Sequence, residues 1–312
     1  MERYYKLPNT PLISIVTPSY NHSEFIEETI ESVLSQDYPE IEYIVIDGGS
    51  TDNTIGILKK YEGKIKWVSE KDRGQSDAIN KGFRMAKGGI FAWLNSDDIY
   101  IKGAVSKAAA LLNANPDVDM IYGKAMFCNE SGKIIGDYNP PEIFDYKMLA
   151  VSNSICQPST FFRRDAFFAA GGIDLTLHYL MDHDLWMKMA KRFKIAYLPE
   201  FLSIYRLHTE SKTVSDIHGL KRNRESINIR MIHYGWAPAN HVYSYCYYLV
   251  KNKIPSYLAK FRFLIIFITL LISPVEYVRL NKGIRLDDIK MINLLNIKKL
   301  FFKGWELKDL MK

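Results

Sequence analysis

ISIVTPSYNHSEFIEETIESVLSQDYPEIEYIVIDGGSTDNT, residues 13–54, reads as strand, helix, strand. Residues 13–17 and 43–47 are short runs of β-branched or aromatic apolar side chains, each followed by turn-forming residues. Between them Phe25, Thr29, Ser32, Val33 and Gln36 recur at the spacing of one helical face within residues 24–36. The alternation continues downstream. Residues 65–69 and 90–94 are further strand candidates, residues 54–61 form a further helix, and another begins at Gln75 and closes on Gly88 and Gly89, a pair suited to a helix C-cap. Strand-helix alternation at this spacing predicts an α/β fold with a parallel, doubly wound sheet. Ligands of such sheets bind outside the carboxyl ends of the strands.

Each of those ends is polar. The first strand runs into TPSYN (17–21), the second into DGGSTDNT (47–54), the third into SEKDRGQSDA (69–78) and the fourth into NSDD (95–98). Singly, these are ordinary turns and caps: Asn21, Ser23 and Asp52 are potential N-caps, and Gly48 and Gly49 suit a tight turn. Four of them on one sheet edge point to a binding site. No GxGxxG follows the first strand and no GxxxxGK[ST] occurs, so phosphates of a ligand would lack both glycine cradles. The adjacent Asp97 and Asp98 repel one another unless a cation is near. A hard divalent ion, Mg2+ or Mn2+, takes one or two carboxylates together with substrate phosphate oxygens, which would satisfy both requirements.

In this order and spacing, TPSYN, DGGSTDNT, EKDRGQSDAINKG and LNSDD resemble the family-2 glycosyltransferases of the GT-A fold, over roughly residues 11–213. The resemblance implies inverting transfer of a sugar from a nucleotide-sugar donor. It places Thr17, Pro18, Tyr20 and Asp47 around the base, with Asp47 accepting a hydrogen bond from a ring nitrogen. It also places Asp72, Arg73 and Asp77 near ribose, base and diphosphate, where a guanidinium fork suits phosphate oxygens. The family's DxD element falls on Asn95, Ser96 and Asp97. Asn95 replaces its first Asp and retains a ribose contact, Ser96 lies between, and Asp97 is the metal ligand, with Asp98 a further candidate. The family's Glu-Asp pair aligns with Met181 and Asp182, which makes Asp182 the base that deprotonates the acceptor hydroxyl. Met181, Leu185 and Met189 share a helical face, whereas Asp184 points elsewhere and can pair with Lys188.

Farther on, Arg206 and His208 are two apart in IYRLHTESKT (204–213), a predicted strand and polar loop, so alternation puts both on one face. Arg206 would meet the diphosphate and a neutral His208 could join the metal.

The charge is divided unevenly. Residues 1–220 carry 24 Lys and Arg against 29 Asp and Glu, a net −5, and residues 221–312 carry 17 against 6, a net +11. We expect a catalytic domain over 1–220 and a basic, mainly helical extension over 221–312. The apolar run FLIIFITLLISPV (263–275) is short for a bilayer span and suits a helix lying on an anionic membrane surface, or one buried on the domain or against a second copy in a homodimer. The start, MERYYKLPNTPL, lacks the pattern of a signal peptide, and three widely spaced cysteines suggest neither disulfides nor zinc, so a cytoplasmic protein, peripheral on the membrane, is expected. The acceptor would then be a glycan or lipid-linked glycan of a bacterial surface polysaccharide.

Other classes fit less well. A sugar-phosphate nucleotidyltransferase should carry a glycine-rich basic stretch after its first strand, where this chain has acidic residues. A non-catalytic membrane adaptor leaves Asp97, Asp182 and His208 unexplained. Nucleic-acid binding is not expected, because the aromatics of the basic end sit in the apolar clusters YSYCYYL and FRFLIIF.

Overall fold

The computed structural model of the chain describes residues 8, 10–209, 211–212, 218–285 and 288. Two compact units emerge, one from Met1–Tyr146 with Ser154–Leu207 and the other from Lys147–Asn153 with His208–Lys312. In chain order the elements are β1 (Ile13–Ser19), α1 (Ile26–Leu34), β2 (Ile41–Asp47), α2 (Thr54–Lys60), β3 (Lys66–Ser69), α3 (Gln75–Met85), β4 (Ile90–Trp93), β5 (Ile99–Tyr100) and α4 (Ala104–Ala114). There follow β6 (Met120–Cys128), β7 (Ile134–Tyr138), α5 (Tyr146–Val151), β8 (Thr160–Arg163), α6 (Arg164–Ala169), α7 (Met181–Ala190) and β9 (Ile195–Arg206). The chain then forms α8 (Gly219–Tyr234), α9 (Ala239–Lys253), α10 (Ser256–Ala259) and α11 (Arg262–Asn281).

The first unit is built on one nine-stranded sheet, ordered β3-β2-β1-β4-β8-β6-β9-β5, with β7 also paired to β6. Strands β3, β2, β1 and β4 are parallel, as the alternating pattern predicts. Both faces of this half are covered, so β1 and β4 are buried at every position and read as continuous apolar runs. Ile26, Thr29, Ile30, Ser32 and Val33 turn α1 onto the sheet. Beyond β4 the sheet is mixed: β8 runs antiparallel to β4 and β6, β5 antiparallel to β9, and β6 parallel to β9. Phe83, Phe91, Phe162 and Phe167 pack ring on ring between α3, β4, β8 and α6, which closes the junction of the two halves.

The glycine pair does not cap α3. That helix ends at Met85 with Ala86 extended, and Gly88 lies instead where β1 comes closest. A Cβ on Gly88 would stand 2.6 Å from the Leu12 carbonyl oxygen and 2.7 Å from the Ser14 nitrogen, and the Gly88 N–H donates to the Ser14 hydroxyl at 2.8 Å. The position demands glycine because backbone passes through the space a side chain would fill.

In the second unit α8, α9 and α11 bury Ile227, Ala237, Val242, Cys246 and Tyr277 together. Arg230 of α8 is fully buried and donates to the Ala150 and Ser226 carbonyls. Helix α11 has 20 residues, longer than its apolar run, because the helix continues through Glu276–Asn281. By length and composition it is long enough to cross a membrane, which corrects the expectation drawn from the run of 13. One surface of it is buried and much of the rest is exposed.

Candidate active site

The carboxyl ends of β1, β2, β3 and β4 meet along one edge through hydrogen bonds between their loops. Asn21, in the left-handed region at φ 54°, accepts from the Thr51 N–H at 2.8 Å, and its own N–H donates to the Ser50 hydroxyl at 2.8 Å. The Asp52 carboxylate accepts from the Ser23 N–H at 2.9 Å and the Thr54 N–H at 3.0 Å, so it ties the β1 loop to the start of α2. His22 reaches across to the fourth loop, its Nδ1 lying 2.6 Å from the Ser96 hydroxyl. Ser19, at the end of β1, is buried with a hydroxyl that has no hydrogen-bond partner among the described residues.

Thr17 is buried and shares a hydrogen bond with Tyr43, whereas Tyr20 is 59% exposed, an aromatic face available at the edge. Asp47 is fully buried and its carboxylate shapes its own loop. It accepts from the Gly49 and Ser50 N–H groups and from the hydroxyls of Ser50 and Ser69, at 2.5–3.0 Å. Gly49 has φ 84°, which this turn requires and glycine supplies. The Asp72 carboxylate packs on Gly48, where an added Cβ would lie 2.8 Å from Oδ2, and accepts from the Gly74 N–H. Asp77 holds Arg73 by backbone and side chain, and the Arg73 hydrogen bond holds the Asp77 carboxyl below its usual range. The Arg73 side chain is three-quarters exposed.

The NSDD loop is organised from beneath. Asn95 uses all four hydrogen-bonding positions of its amide inside the protein. Its oxygen accepts from Gln75 Nε2 at 2.8 Å and from the Trp93 indole at 2.7 Å; its nitrogen donates to Asp98 Oδ2 at 3.1 Å and to Gln157 Oε1 at 3.0 Å. Trp93 can only donate, which sets the orientation of the amide. No capacity remains for the ribose contact expected of Asn95. Asp98 is buried and also accepts from the Arg206 N–H. Burial and the neighbouring Asp97 push its pKa well up. Both Asp98 carboxylate oxygens are thus engaged inside the protein, and of the pair Asp97 is the partly exposed one.

Arg206 also differs from expectation. Its side chain is 2% exposed, donating to the Asp97 carbonyl at 3.1 Å, to the Glu130 carbonyl at 3.0 Å and to Glu28 at 2.5 Å, over the ring of Phe25. The guanidinium braces the loop from inside and does not reach outward to a diphosphate. Strand β9 ends at Arg206, so the alternation that placed His208 beside it does not apply; His208 is buried and belongs to the second unit.

Asp182 lies in the first turn of α7 behind the N-cap Leu180, half-buried, at the helix end whose dipole favours a carboxylate. Met181, Leu185 and Met189 are buried, and Asp184 pairs with Lys188 at 2.6 Å. The segment leading into α7 packs on the start of α3: the Ser76 hydroxyl donates to the Leu177 carbonyl, and Gly74 lies against His178. Cys156 is buried. Burial raises its thiol pKa well above the ordinary value, and Asp98 and Asp182 both add to that rise. Asp98 and Asp182 are thus both within electrostatic range of one buried thiol.

Asp97 is partly exposed, and a carboxylate is a hard oxygen ligand. Among the described residues no group of three or more His, Cys, Asp or Glu side chains is placed to hold a metal ion by itself. A single carboxylate sharing an ion with ligand phosphates fits that donor set. His22, Gln75, Trp93, Cys156 and Gln157 were not legible as site residues, since their partners lie from 2 to 74 positions away and no local motif marks them. The loops also carry a pH signature. Burial alone would raise the Asp52 pKa, but the Thr54 and Ser23 donors outweigh it and hold the pKa at about 2. A depressed folded-state pKa stabilises the fold above the unfolded value near 4, and the contribution is lost as pH falls toward 2. At this exposed position solvent screening leaves about 1 kcal/mol. Asp52→Ala should therefore be less stable by about that amount at neutral pH in urea unfolding, with the gap closing near pH 2; a pH-independent gap would rule this out.

Known proteins resemble this chain in sequence and in fold. The sequence model described as "Glycosyl transferase family 2" matches residues 14–170. An uncharacterized glycosyltransferase of Rickettsia prowazekii is 30% identical over 219 residues, 68% of this chain and 69% of that protein. Chondroitin synthase of Escherichia coli is 26% identical over 221 residues, 70% of this chain but 32% of that protein. S. aureus TarS 1-349 in complex with UDP-GlcNAc superposes with a TM-score of 0.61 at 16% identity, covering 86% of this chain and 89% of that one. The mannosyltransferase PcManGT from Pyrobaculum calidifontis, in complex with GDP-Man and Mn2+, gives 0.55 at 16% identity, covering 99% and 86%. At such identities the structural matches establish the GT-A type of fold.

Proposed function

Because the chain belongs to glycosyl transferase family 2, we propose that it moves a sugar, with inversion, from a UDP-sugar to a hydroxyl of a glycan acceptor, with Mn2+ or Mg2+ held at Asp97. The observation that carries this reading is the gathering of the polar loops on one sheet edge, where Asn21 binds the Thr51 N–H and His22 reaches Ser96, next to the partly exposed Asp97. The proposed catalytic domain is residues 1–220, with 221–312 a helical extension.

In this reading the base lies between Tyr20, Pro18 and the Asp47 loop. A ring N–H of the base would take the place of the Ser50 hydroxyl on Asp47, and Ser19, whose hydroxyl has no partner among the described residues, is paired with Asp47 in the sheet register. Exposed Arg73, steadied by Asp77, is the guanidinium of this loop and suits phosphate oxygens. When bound, the divalent ion would offset charge growing on the departing diphosphate. Asp182 takes the proton from the acceptor hydroxyl as the oxygen attacks the anomeric carbon, and the bond to the diphosphate breaks in the same displacement. One displacement inverts the anomeric centre and leaves no sugar on the protein. Asn95, Asp98 and Arg206 hold Asp97 in place and touch no ligand. The TarS complex with UDP-GlcNAc and the identity to chondroitin synthase favour a UDP-sugar and a polysaccharide acceptor; the GDP-Man complex of PcManGT makes GDP the competing donor.

The test is calorimetry of UDP, GDP and dTDP with Mn2+ and with chelator. UDP binding should weaken at least about tenfold in chelator, a difference of about 1.4 kcal/mol. The Asp97→Ala variant should bind equally weakly in both. Equal affinity of the unmodified protein with and without Mn2+ would remove the metal from the reading, and tighter GDP binding would reassign the donor.

A further inference from the structure

An exposed apolar stripe runs along α11. Phe263 is 71% exposed, Phe267 58%, Leu271 61% and Val275 70%, with Leu270 and Val278 beside them. These residues are separated by four, three, one, four and three positions, the spacing of a single helical face. The other side of the helix is already used: Ile265, Thr269 and Tyr277 are buried, and Ile272 and Leu280 pack with Tyr277 on the core that α8 and α9 supply. The helix therefore has one face in protein and one in solvent. A contiguous apolar surface of this length on a folded protein marks an interaction site.

Charge identifies what covers it. Between Ala239 and Arg285 the chain carries Lys251, Lys253, Lys260, Arg262, Arg279, Lys282 and Arg285 against one acid, Glu276, which is paired with Arg279. Two copies meeting through this region would bring like charge against like charge, whereas an anionic phospholipid surface takes the basic residues and the apolar stripe together. We infer that α11 is a membrane-docking helix that lies in the plane of an anionic bilayer surface, with Phe263, Phe267, Leu271 and Val275 entering the headgroup boundary and the buried face keeping it on the protein. A spanning arrangement would require the Thr269 and Tyr277 face to leave its core. The inference rests on the second unit alone and stands whether or not the donor chemistry proposed above is right.

The experiment is flotation of the full chain with vesicles of phosphatidylcholine alone and with phosphatidylglycerol added, at low and high salt. The protein should float with the anionic vesicles at low salt, lose most of that binding at high salt or on neutral vesicles, and be released by alkaline carbonate. Phe263→Ser/Phe267→Ser/Leu271→Ser should reduce flotation at least tenfold with an unchanged melting curve. Lys260→Glu/Arg262→Glu, which leaves the stripe intact, should abolish the preference for anionic vesicles. Absence of flotation, equal flotation of the triple variant, or resistance to carbonate extraction would overturn the inference. So would a dimer, by ultracentrifugation, that the triple variant converts to monomer, since the stripe would then belong to a second copy.

Discussion

Asp182→Asn should leave UDP affinity within about twofold of the unmodified protein and lower turnover by roughly 100-fold or more, the scale of losing a general base. The substitution is nearly isosteric and sits at a half-buried position in the first turn of α7, so the fold should be untouched. Amide and carboxylate differ in one respect that matters, since the amide cannot take a proton from the attacking hydroxyl. The control is Asp184→Asn on the same helix. Asp184 is buried and paired with Lys188, so its loss should lower the melting temperature and affect turnover little beyond that. Turnover and donor affinity measured on both variants separate the roles. If Asp182→Asn turns over normally, the base lies elsewhere; if it loses UDP affinity as well, Asp182 belongs to the donor side.

Arg206→Met should destabilise the protein by about 3 kcal/mol, the scale of removing a buried, hydrogen-bonded charge, which corresponds to roughly 6–12 °C of melting temperature for a unit of this size. Methionine fills much of the same volume but cannot serve the carbonyls of Asp97 and Glu130, and it leaves Glu28 without its partner. Metal-dependent UDP binding should fall as well, because the Asp97 backbone loses its brace. Arg206→Lys should rescue little, since one ammonium cannot replace three differently directed guanidinium donors. Thermal melting and UDP titration decide between this role and the outward one suggested by sequence. An unchanged melting temperature with UDP binding lost would make Arg206 a phosphate ligand after all.

The parallel half of the sheet was readable because each of its strands is an apolar run ending in a polar loop, and helices separate them regularly. The antiparallel half was not. TFFR in β8 is four residues long, and its partners in β4 and β6 lie some 40 to 70 positions away, a pairing no local periodicity encodes. Within the site, residue types marked the loops correctly but not which groups of each loop face outward. Asp97 and Asp98 are equivalent in sequence; they differ because the Asp98 carboxylate receives the Arg206 N–H and the Asn95 amide. Arg206 reads as a surface cation until Glu28, Phe25 and two carbonyls from distant segments are found around it. The length of α11 was underread for a related reason. The apolar run ends at Val275, whereas the helix continues to Asn281 through the Glu276–Arg279 pair.

The saturated amide of Asn95 also constrains how this chain can vary. Changing Asn95 to aspartate, the residue expected there by resemblance, would replace the one amide nitrogen that donates to both Asp98 and the Gln157 oxygen with a carboxylate oxygen facing both acceptors. Gln157 cannot simply turn over, because its own amide nitrogen is engaged by the Trp93 carbonyl. An acidic pair at this loop is therefore reachable only through coordinated replacements at 95, 98 and 157, and any single step passes through a destabilised intermediate. Substitutions at these three positions should be strongly epistatic, so that a lineage holding asparagine here is confined to it.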